Sequence, residues 1–326
     1  MYKHIKIFMI AVLGFVVLYG AEYQTTGTTG FVFLNLPVSA RSIALGQTGI
    51  TLQNSGGAEA IFINPALMAE PLNDNALMLS YGEWYAETNH QALAFVHHNR
   101  FIGSFGISLN YFDFGSMEKT RNFLPEEVLL LQDGDNNVYI SEGNYSAAAM
   151  AVGLSYGRQM TQAFKFGLTA KYIRESIDKY YAENLALDLG FMYETGFKSL
   201  RVGTFLKNFG LESEYVSERF KMPQVLTLGL SAEVYGALDK PNYVTLLAEA
   251  VHPNDSPEHI HLGLESKIAG LLMLRGGYKL GYETEALTGG LGIDFDFKAQ
   301  RYRLDVSYMN HDYLGHTMRY TLTAGF

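Results

Sequence analysis

Cysteine, charge and long apolar runs are all scarce in this chain of 326 residues. The absence of cysteine excludes disulfides, thiolate zinc sites and cysteine nucleophiles. Charged residues make up 17% of the chain, against about 25% in an average soluble domain. The net charge of −9 does not favour nucleic acid as a partner. After residue 19, no apolar run reaches the roughly 20 residues of a membrane-spanning helix, so only strands could insert.

Glycine and two aromatic residue types are abundant instead. The chain has 33 Gly, 22 Tyr and 21 Phe, but a single Trp. This composition is typical of a barrel whose outer wall faces lipid.

Residues 1–21 have the pattern of a cleaved secretory signal peptide. Lys3 and Lys6 form a positive n-region, residues 7–19 are apolar, and Gly20 or Ala21 offers a small residue for cleavage. An uncleaved anchor is the alternative. With the strand pattern below, the segment predicts export to the outer membrane of a Gram-negative-type bacterium.

From residue 73 onwards, apolar and polar residues alternate with the period of a half-buried strand. The predicted strands are 75–87, 90–98, 101–114, 145–158, 163–175, 181–195, 198–207, 225–234, 243–252, 259–267, 271–282, 286–297, 301–310 and 317–326. Connections are predicted to alternate between short periplasmic turns and longer loops, the longest being 115–144 and 208–222.

Charged residues share one face of these strands. Leu304 and Val306 point to one side, whereas Arg303 and Asp305 point to the other. An Arg or Lys facing lipid at mid-membrane costs about 2–4 kcal/mol, so the charged face must line a wet or ion-paired lumen. A soluble β-sandwich is the alternative. The predicted fold is all-β: a transmembrane antiparallel β-barrel of about 14 strands, residues 73–326, with residues 22–72 as a plug, or hatch, in its lumen.

The last strand ends on an aromatic residue. Tyr320, Leu322 and Phe326 lie on one face of it. A C-terminal strand of this form resembles the signal that the barrel-insertion machinery reads, so that machinery and outer-membrane lipid are expected partners.

The hatch lacks the two-residue period. The turn Asn64-Pro65-Ala66 predicts either a rigid support for the plug, with proline fixing φ, or part of a ligand path. Arg41 is expected to pair with a lumen carboxylate, a gating role being the alternative. Gly46 is expected to allow tight folding inside the pore.

The hatch sequence also resembles a known family. It is similar to the PorV/PorQ family at three motifs: FLNLPVSAR at 33–41, ALG at 44–46 and NPAL at 64–67. The sequences of these motifs favour the PorQ side of the family. That family looks like a branch of the FadL-type outer-membrane barrels. The resemblance implies 14 strands, an N-terminal hatch and one of two functions: holding or shuttling surface proteins in type IX secretion, or admitting hydrophobic small molecules.

The predicted loop 115–144 carries an apolar run on the extracellular side. Val128, Leu129, Leu130 and Leu131 suit either contact with a partner protein or a lid over the lumen. In the same loop, the DGDNN sequence at 133–137 begins like a calcium loop but lacks its final glutamate, which favours a plain turn.

No constellation predicts catalysis, a metal or a cofactor. His259, His261 and Glu265 share a strand face, but a solvated lumen explains them better than a metal site. No Ser-His-Asp spacing, phosphate loop or carboxylate pair exceeds the background of a polar lumen, so a barrel lipase is the weakest hypothesis.

Two functions are therefore carried forward. The first is an outer-membrane barrel that binds, anchors or shuttles surface or secreted proteins for a type IX-like secretion system. The alternative is a FadL-like channel for uptake of hydrophobic small molecules. The polar lumen and the apolar loop favour the first.

Overall fold

The computed structural model describes residues 27–53, 57–71, 73–124, 139–282, 286–298, 300–311 and 314–326. The predicted signal peptide, the run Val128–Leu131 and the DGDNN sequence lie outside the described residues. Their predicted roles stay predictions, as do the segment boundaries at residues 21 and 72.

The described residues form sixteen strands, fourteen of which close into one antiparallel barrel. The strands are β1 (Asn75–Glu83), β2 (Asn89–Asn99), β3 (Gly103–Arg121), β4 (Ile140–Gln159), β5 (Phe164–Ile177), β6 (Tyr180–Glu194), β7 (Arg201–Gly210), β8 (Ser213–Tyr215), β9 (Glu218–Phe220), β10 (Val225–Gly236), β11 (Tyr243–Pro253), β12 (His259–Ile268), β13 (Leu272–Leu280), β14 (Leu287–Phe297), β15 (Gln300–His311) and β16 (Gly315–Gly325). Each barrel strand pairs with its neighbour in sequence, β7 pairs with β10, and β8 pairs only with β9. The predicted fold class is confirmed.

The barrel closes where its last strand meets its first. β1 and β16 pair from Ala76 with Gly325 to Glu83 with Met318. At the end of this ladder, Asn75 and Phe326 exchange two backbone hydrogen bonds of 2.8 and 2.9 Å. The terminal Phe326 therefore completes the seam.

The two faces of the wall differ as the alternation predicted. On β15, Leu304 is 49% exposed on the outside, whereas Arg303 and Asp305 are buried on the inside. Large apolar side chains are exposed on the outer face of every barrel strand. A surface of this kind would be unfavourable in water and suits the hydrocarbon of a membrane. In the described part of the chain, no helix is long and apolar enough to cross a membrane.

The two ends of the barrel can be told apart by their connections. The long connections, 122–139 and 211–224, lie at one end, which is the extracellular end in barrels of this type. Connections at the same end are not all long, because only residues 178–179 join β5 to β6. The predicted alternation of short and long connections therefore holds only in part.

The predicted loop 115–144 is shorter than expected. β3 continues to Arg121 and β4 begins at Ile140, with register shifts after Asp113 and Glu118 that let the pairing continue. Their neighbours stop earlier, since β2 begins opposite Asp113 and β5 ends opposite Ala147. β3 and β4 thus project as a two-stranded hairpin. The predicted loop 208–222 likewise contains the small hairpin β8–β9.

The hatch, residues 27–71, contains only short helical turns in its described part. These are the 3₁₀ turns Val32–Asn35 and Pro65–Ala69 and the helices Ala40–Ala44 and Ala60–Ile63. One further 3₁₀ turn, Tyr85–Glu87, joins β1 to β2. Ser39 begins the first helix, since its side chain accepts a hydrogen bond from the N–H of Ser42.

Candidate functional site: the hatch in the lumen

The hatch lies inside the barrel and is hydrogen-bonded to separate stretches of its wall. The N–H of Ala40 donates to Thr321 on β16 at 3.0 Å. The N–H groups of Gly49 and Ile50 donate to one oxygen of Glu249 on β11, at 2.6 and 2.9 Å. Because the contacted strands are far apart in the sheet, these bonds hold the hatch across the lumen.

Arg41 begins a network of buried charges. Its Nε and Nη2 donate to both carboxylate oxygens of Glu265, at 2.7 and 2.8 Å. Glu265 also accepts from Nε of Arg275 at 2.7 Å and from the hydroxyl of Tyr243 at 3.3 Å. Burial lowers the pKa of Arg41, but Glu265 and then Glu59 raise it above its usual value. The guanidinium therefore stays charged, with the partner type that the sequence predicts.

The network continues along the wall and returns to the hatch. Nη1 of Arg275 donates to Asp305 at 2.7 Å, and Nε of Arg303 donates to the same carboxylate at 2.9 Å. Arg303 also donates to Glu59 of the hatch. Glu59 lies 4.0 Å from Nη1 of Arg41. Three arginines and three carboxylates thus alternate in a closed ring, which we call the charge ring, with Arg41 and Glu59 supplied by the hatch.

Wall glycines leave room for the turn Asn64-Pro65-Ala66. A Cβ on Gly167 would overlap the backbone of Pro65 and Ala66, and one on Gly190 would overlap Asn64. Gly167 and Gly190 face each other across β5 and β6. Within the turn, Oδ1 of Asn64 accepts from the N–H of Ala66 at 3.0 Å. These contacts support the rigid-turn interpretation.

A second pair of wall glycines receives the bend at Gly46. Gly263 on β12 faces Gly277 on β13. A Cβ on Gly277 would overlap the backbone of Leu45 and Gly46, and one on Gly263 would overlap Thr48. Gly46 itself has φ of +70°, which favours glycine. The hatch backbone therefore touches the wall backbone directly on two sides of the barrel.

Ion pairs also anchor the periplasmic side of the hatch. Lys165 of β5 pairs with Glu70 of the hatch and Glu194 of β6. Gln53 donates to both of these carboxylates at 3.0 Å and accepts from Arg201 of β7 at 3.1 Å.

Two cavities lie along the wall formed by β7 and β10. The first, which we call the vestibule, has a volume of about 310 Å³ and lies at the extracellular end between the hatch and β7, β10, β11, β12 and β13. The second, the periplasmic pocket, has about 450 Å³ and is lined by Gln53, Glu194 and Arg201. Ile50 lines the first and Gln53 lines the second, so residues 50–53 extend from one cavity to the other.

The histidines on β12 belong to the vestibule. His259 stacks on Tyr282 at 4.0 Å between ring centroids, and Nε2 of His261 lies 3.0 Å from the Tyr282 hydroxyl. Glu265 is turned to the charge ring instead. No cluster of three or more metal-ligating side chains exists in the described ranges.

Other predicted site residues lie away from the lumen. Tyr320 points outward from β16 and is 46% exposed, and Leu322 shares that face. Glu59 and the wall glycines were not predicted as site residues. Glu59 is buried and accepts a hydrogen bond from Ser39. It follows a glycine pair by two residues in a segment without periodicity, so the sequence did not mark it as a lumen charge.

Several solved structures share this fold at low sequence identity. The toluene transporter TbuX of Ralstonia pickettii superposes with a TM-score of 0.56 at 13% identity, covering 89% of this chain and 98% of that one. The toluene transporter TodX of Pseudomonas putida gives 0.54 at 14%, covering 93% and 98%. A FadL homologue of Pseudomonas aeruginosa gives 0.54 at 10%, covering 89% and 98%. No protein-family model and no curated protein matches the sequence. The chain thus shares the fold of FadL-type outer-membrane barrels.

Breaking the charge ring at Glu265 should destabilise the barrel. Glu265→Gln leaves Arg41 and Arg275 short of a carboxylate, and such a loss costs about 3–5 kcal/mol in buried sites. The double variant Arg41→Met, Glu265→Gln removes one charge of each sign and should recover part of that loss. Urea unfolding followed by circular dichroism measures both. A double variant that is no more stable than Glu265→Gln alone would show that the pair is not coupled.

Adjacent glycines on β13 offer a matched test of the hatch contact. Gly277→Ala should lower the free energy of unfolding by about 1–3 kcal/mol, because the methyl group would displace the hatch backbone. For Gly276→Ala we expect little change, since no described atom lies within 4 Å of its Cβ position. Limited proteolysis of the hatch should accelerate only in the first variant. Equal behaviour would mean that the hatch does not rest on this wall.

Proposed function

We propose that the protein is an outer-membrane channel for uptake of hydrophobic small molecules. The arrangement of the two cavities carries this proposal. The vestibule and the periplasmic pocket lie on either side of residues 50–53, so displacement of one short segment would join them. Both volumes fall within the range of about 300–1,000 Å³ found for small-molecule sites.

Residues 50–53 are held by hydrogen bonds and carry no charge of their own. At one end of the segment, Gln53 donates to Glu70 and Glu194 and accepts from Arg201. Ser231 donates to the carbonyl of Thr51 at 3.1 Å, and Nδ2 of Asn64 donates to that of Ile50 at 2.7 Å. No ion pair of the charge ring involves the segment. A passage beside the hatch therefore requires less rearrangement than removal of the hatch.

The comparisons support a small solute. The similar structures from Ralstonia pickettii and Pseudomonas putida are described as toluene transporters. A further one, CymD, is described as a monoaromatic hydrocarbon channel, with a TM-score of 0.54 at 12% identity, covering 91% of this chain and 97% of that one. Shared fold at this identity does not transfer the solute, so the proposal here extends only to the class of small apolar molecules.

Locking residues 50–53 to the wall should stop uptake. Cγ2 of Thr51 lies 2.7 Å from the Cβ position of Gly203, a separation that suits a disulfide between Thr51→Cys and Gly203→Cys. The chain has no cysteine of its own, so no other disulfide can form. In cells with an intact outer membrane, uptake of labelled toluene should fall to background in the oxidised variant and return on reduction.

Each single cysteine variant serves as the control, because it carries the same substitution without the cross-link. Uptake that is equal in the oxidised and reduced double variant would reject a route past residues 50–53. A wild type that takes up no more toluene than cells lacking the protein would reject the channel itself.

A second function, binding of surface or secreted proteins, is favoured by the projecting hairpin of β3 and β4. Above Asp113, β3 pairs with no described strand except β4, so one edge of β3 has no partner among the described residues at the extracellular end. Such an edge can pair with an extended segment of another protein. The hatch resemblance to the PorV/PorQ family supports the same function, in which the partners would be clients of a type IX-like secretion system.

Deletion of residues 116–146, which removes the part of the hairpin above Asp113, tests this second function. If the protein is an anchor, a surface or secreted protein should co-purify with the intact chain from detergent-solubilised outer membrane and be lost with the deletion. A deletion outside the hairpin, of residues 216–217 in the β8–β9 turn, is the control. Identical co-purification from all three would exclude the hairpin as the binding surface.

A further inference from the structure

The vestibule has an uneven distribution of charge. Lys207 of β7 and Lys279 of β13 line it, and Glu249 is the one carboxylate among its described lining residues. One oxygen of Glu249 accepts the N–H groups of Gly49 and Ile50, so that oxygen is engaged by the hatch.

Lys207 is the cation that lacks a counter-charge. The nearby carboxylate of Asp188 already accepts from Nζ of Lys171 and from the N–H of Asn208, both at 2.7 Å. Two lysines therefore share one carboxylate. Among the described residues, Nζ of Lys207 has neither an ion pair nor a hydrogen-bond partner. A half-buried ammonium without a partner is unfavourable, and an anion bound beside it would offset that cost.

The rest of the vestibule mixes polar and apolar side chains, and several of the apolar ones are aromatic. Phe62 and Ile63 of the hatch, Phe205 of β7 and Trp84 of the β1–β2 connection all line it. A ligand that contacts both Lys207 and these apolar side chains needs an anionic group and a compact apolar body. The volume of about 310 Å³ is at the small end for a ligand site, which excludes a long extended chain while the hatch is in place.

We propose that the vestibule binds small aromatic carboxylates, with the carboxylate on Lys207 and the ring against the apolar side chains. Only the role of this site in transport rests on the proposed function. There, the inference narrows the class of transported solutes from apolar molecules to amphipathic anions. Binding itself does not require passage.

The single tryptophan of the chain offers a direct readout, because Trp84 lines the vestibule. 4-Iodobenzoate quenches tryptophan on contact through its heavy atom, and 4-iodobenzyl alcohol is a neutral analogue of similar shape. In an uncharged detergent, we expect the purified full chain to show saturable quenching by the benzoate at least about tenfold tighter than by the alcohol.

Three variants locate the site. Lys207→Gln should weaken benzoate binding at least about tenfold and leave the alcohol unchanged. Its thermal midpoint should not fall, because Lys207 has no ion pair with any described residue to lose. Lys240→Gln, in the periplasmic β10–β11 connection, is the matched control and should bind like wild type. Val225→Phe fills the vestibule beside Lys207, its cross-strand partner, and should weaken both probes.

The outcomes distinguish a failure of the proposed anion site from a failure of the proposed channel. Equal benzoate affinity in wild type and Lys207→Gln would overturn it, as would equal affinity of wild type for the two probes or unchanged binding in Val225→Phe. If these tests succeed but the cross-linked and reduced forms transport alike, the vestibule stands as a binding site and the route past residues 50–53 falls. If toluene uptake holds but benzoate does not bind, only the anion site falls.

Discussion

The charge ring is the interaction on which the position of the hatch depends. Its six members are buried, and each arginine lies between two carboxylates. A buried ion pair adds little net stability, because desolvation offsets the attraction, but an incomplete one is very costly. The charge ring therefore contributes mainly to fixing one position of the hatch, and little to net stability. Any placement of the hatch that moves Arg41 or Glu59 away from the wall leaves unpaired charges inside the barrel.

The wall glycines impose the same position by shape. Where Gly263 and Gly277 face each other, and again at Gly167 and Gly190, the hatch backbone takes the space of missing side chains. Close packing of this kind tolerates little sliding. The charge ring fixes the position of the hatch electrostatically, and the wall glycines fix it sterically. Because moving the whole hatch would break both sets of contacts, we expect the hatch to move in parts and not as one body.

Charge is unevenly distributed along the axis of the barrel. In the periplasmic half, the ring and the cluster around Lys165 pair each cation with carboxylates. In the extracellular half, Nζ of Lys207 has no partner among the described side chains. The buried Arg319 contacts His90, Ser80 and the carbonyl of Val38 but no described carboxylate. An anion entering from outside would meet cations first and a neutral, closed network below them.

The barrel could be predicted from sequence because a strand repeats every two residues, and Leu304 against Arg303 already separates the two faces. Arg41 stood out because a lone charge in a small-residue segment needs a partner. Its partner could not be named, because Glu265 is 224 positions away and many inward carboxylates were equivalent. Gly277 and Gly276 look alike in sequence, yet only the first touches the hatch. The extension of β3 was missed because its bulges interrupt the alternation.

The charge ring and the glycine contacts affect the two proposed functions differently. A polypeptide could pass the lumen only if the hatch left it, which would open the charge ring and empty both glycine contacts. A small solute needs only residues 50–53 to move. Those residues are held by hydrogen bonds to Ser231, Asn64 and Glu249 and, at Gln53, to Glu70, Glu194 and Arg201. If the protein serves secretion, it must therefore do so from its extracellular surface, through the β3–β4 hairpin, while the lumen stays closed. The two functions then use different parts of the molecule and do not exclude each other.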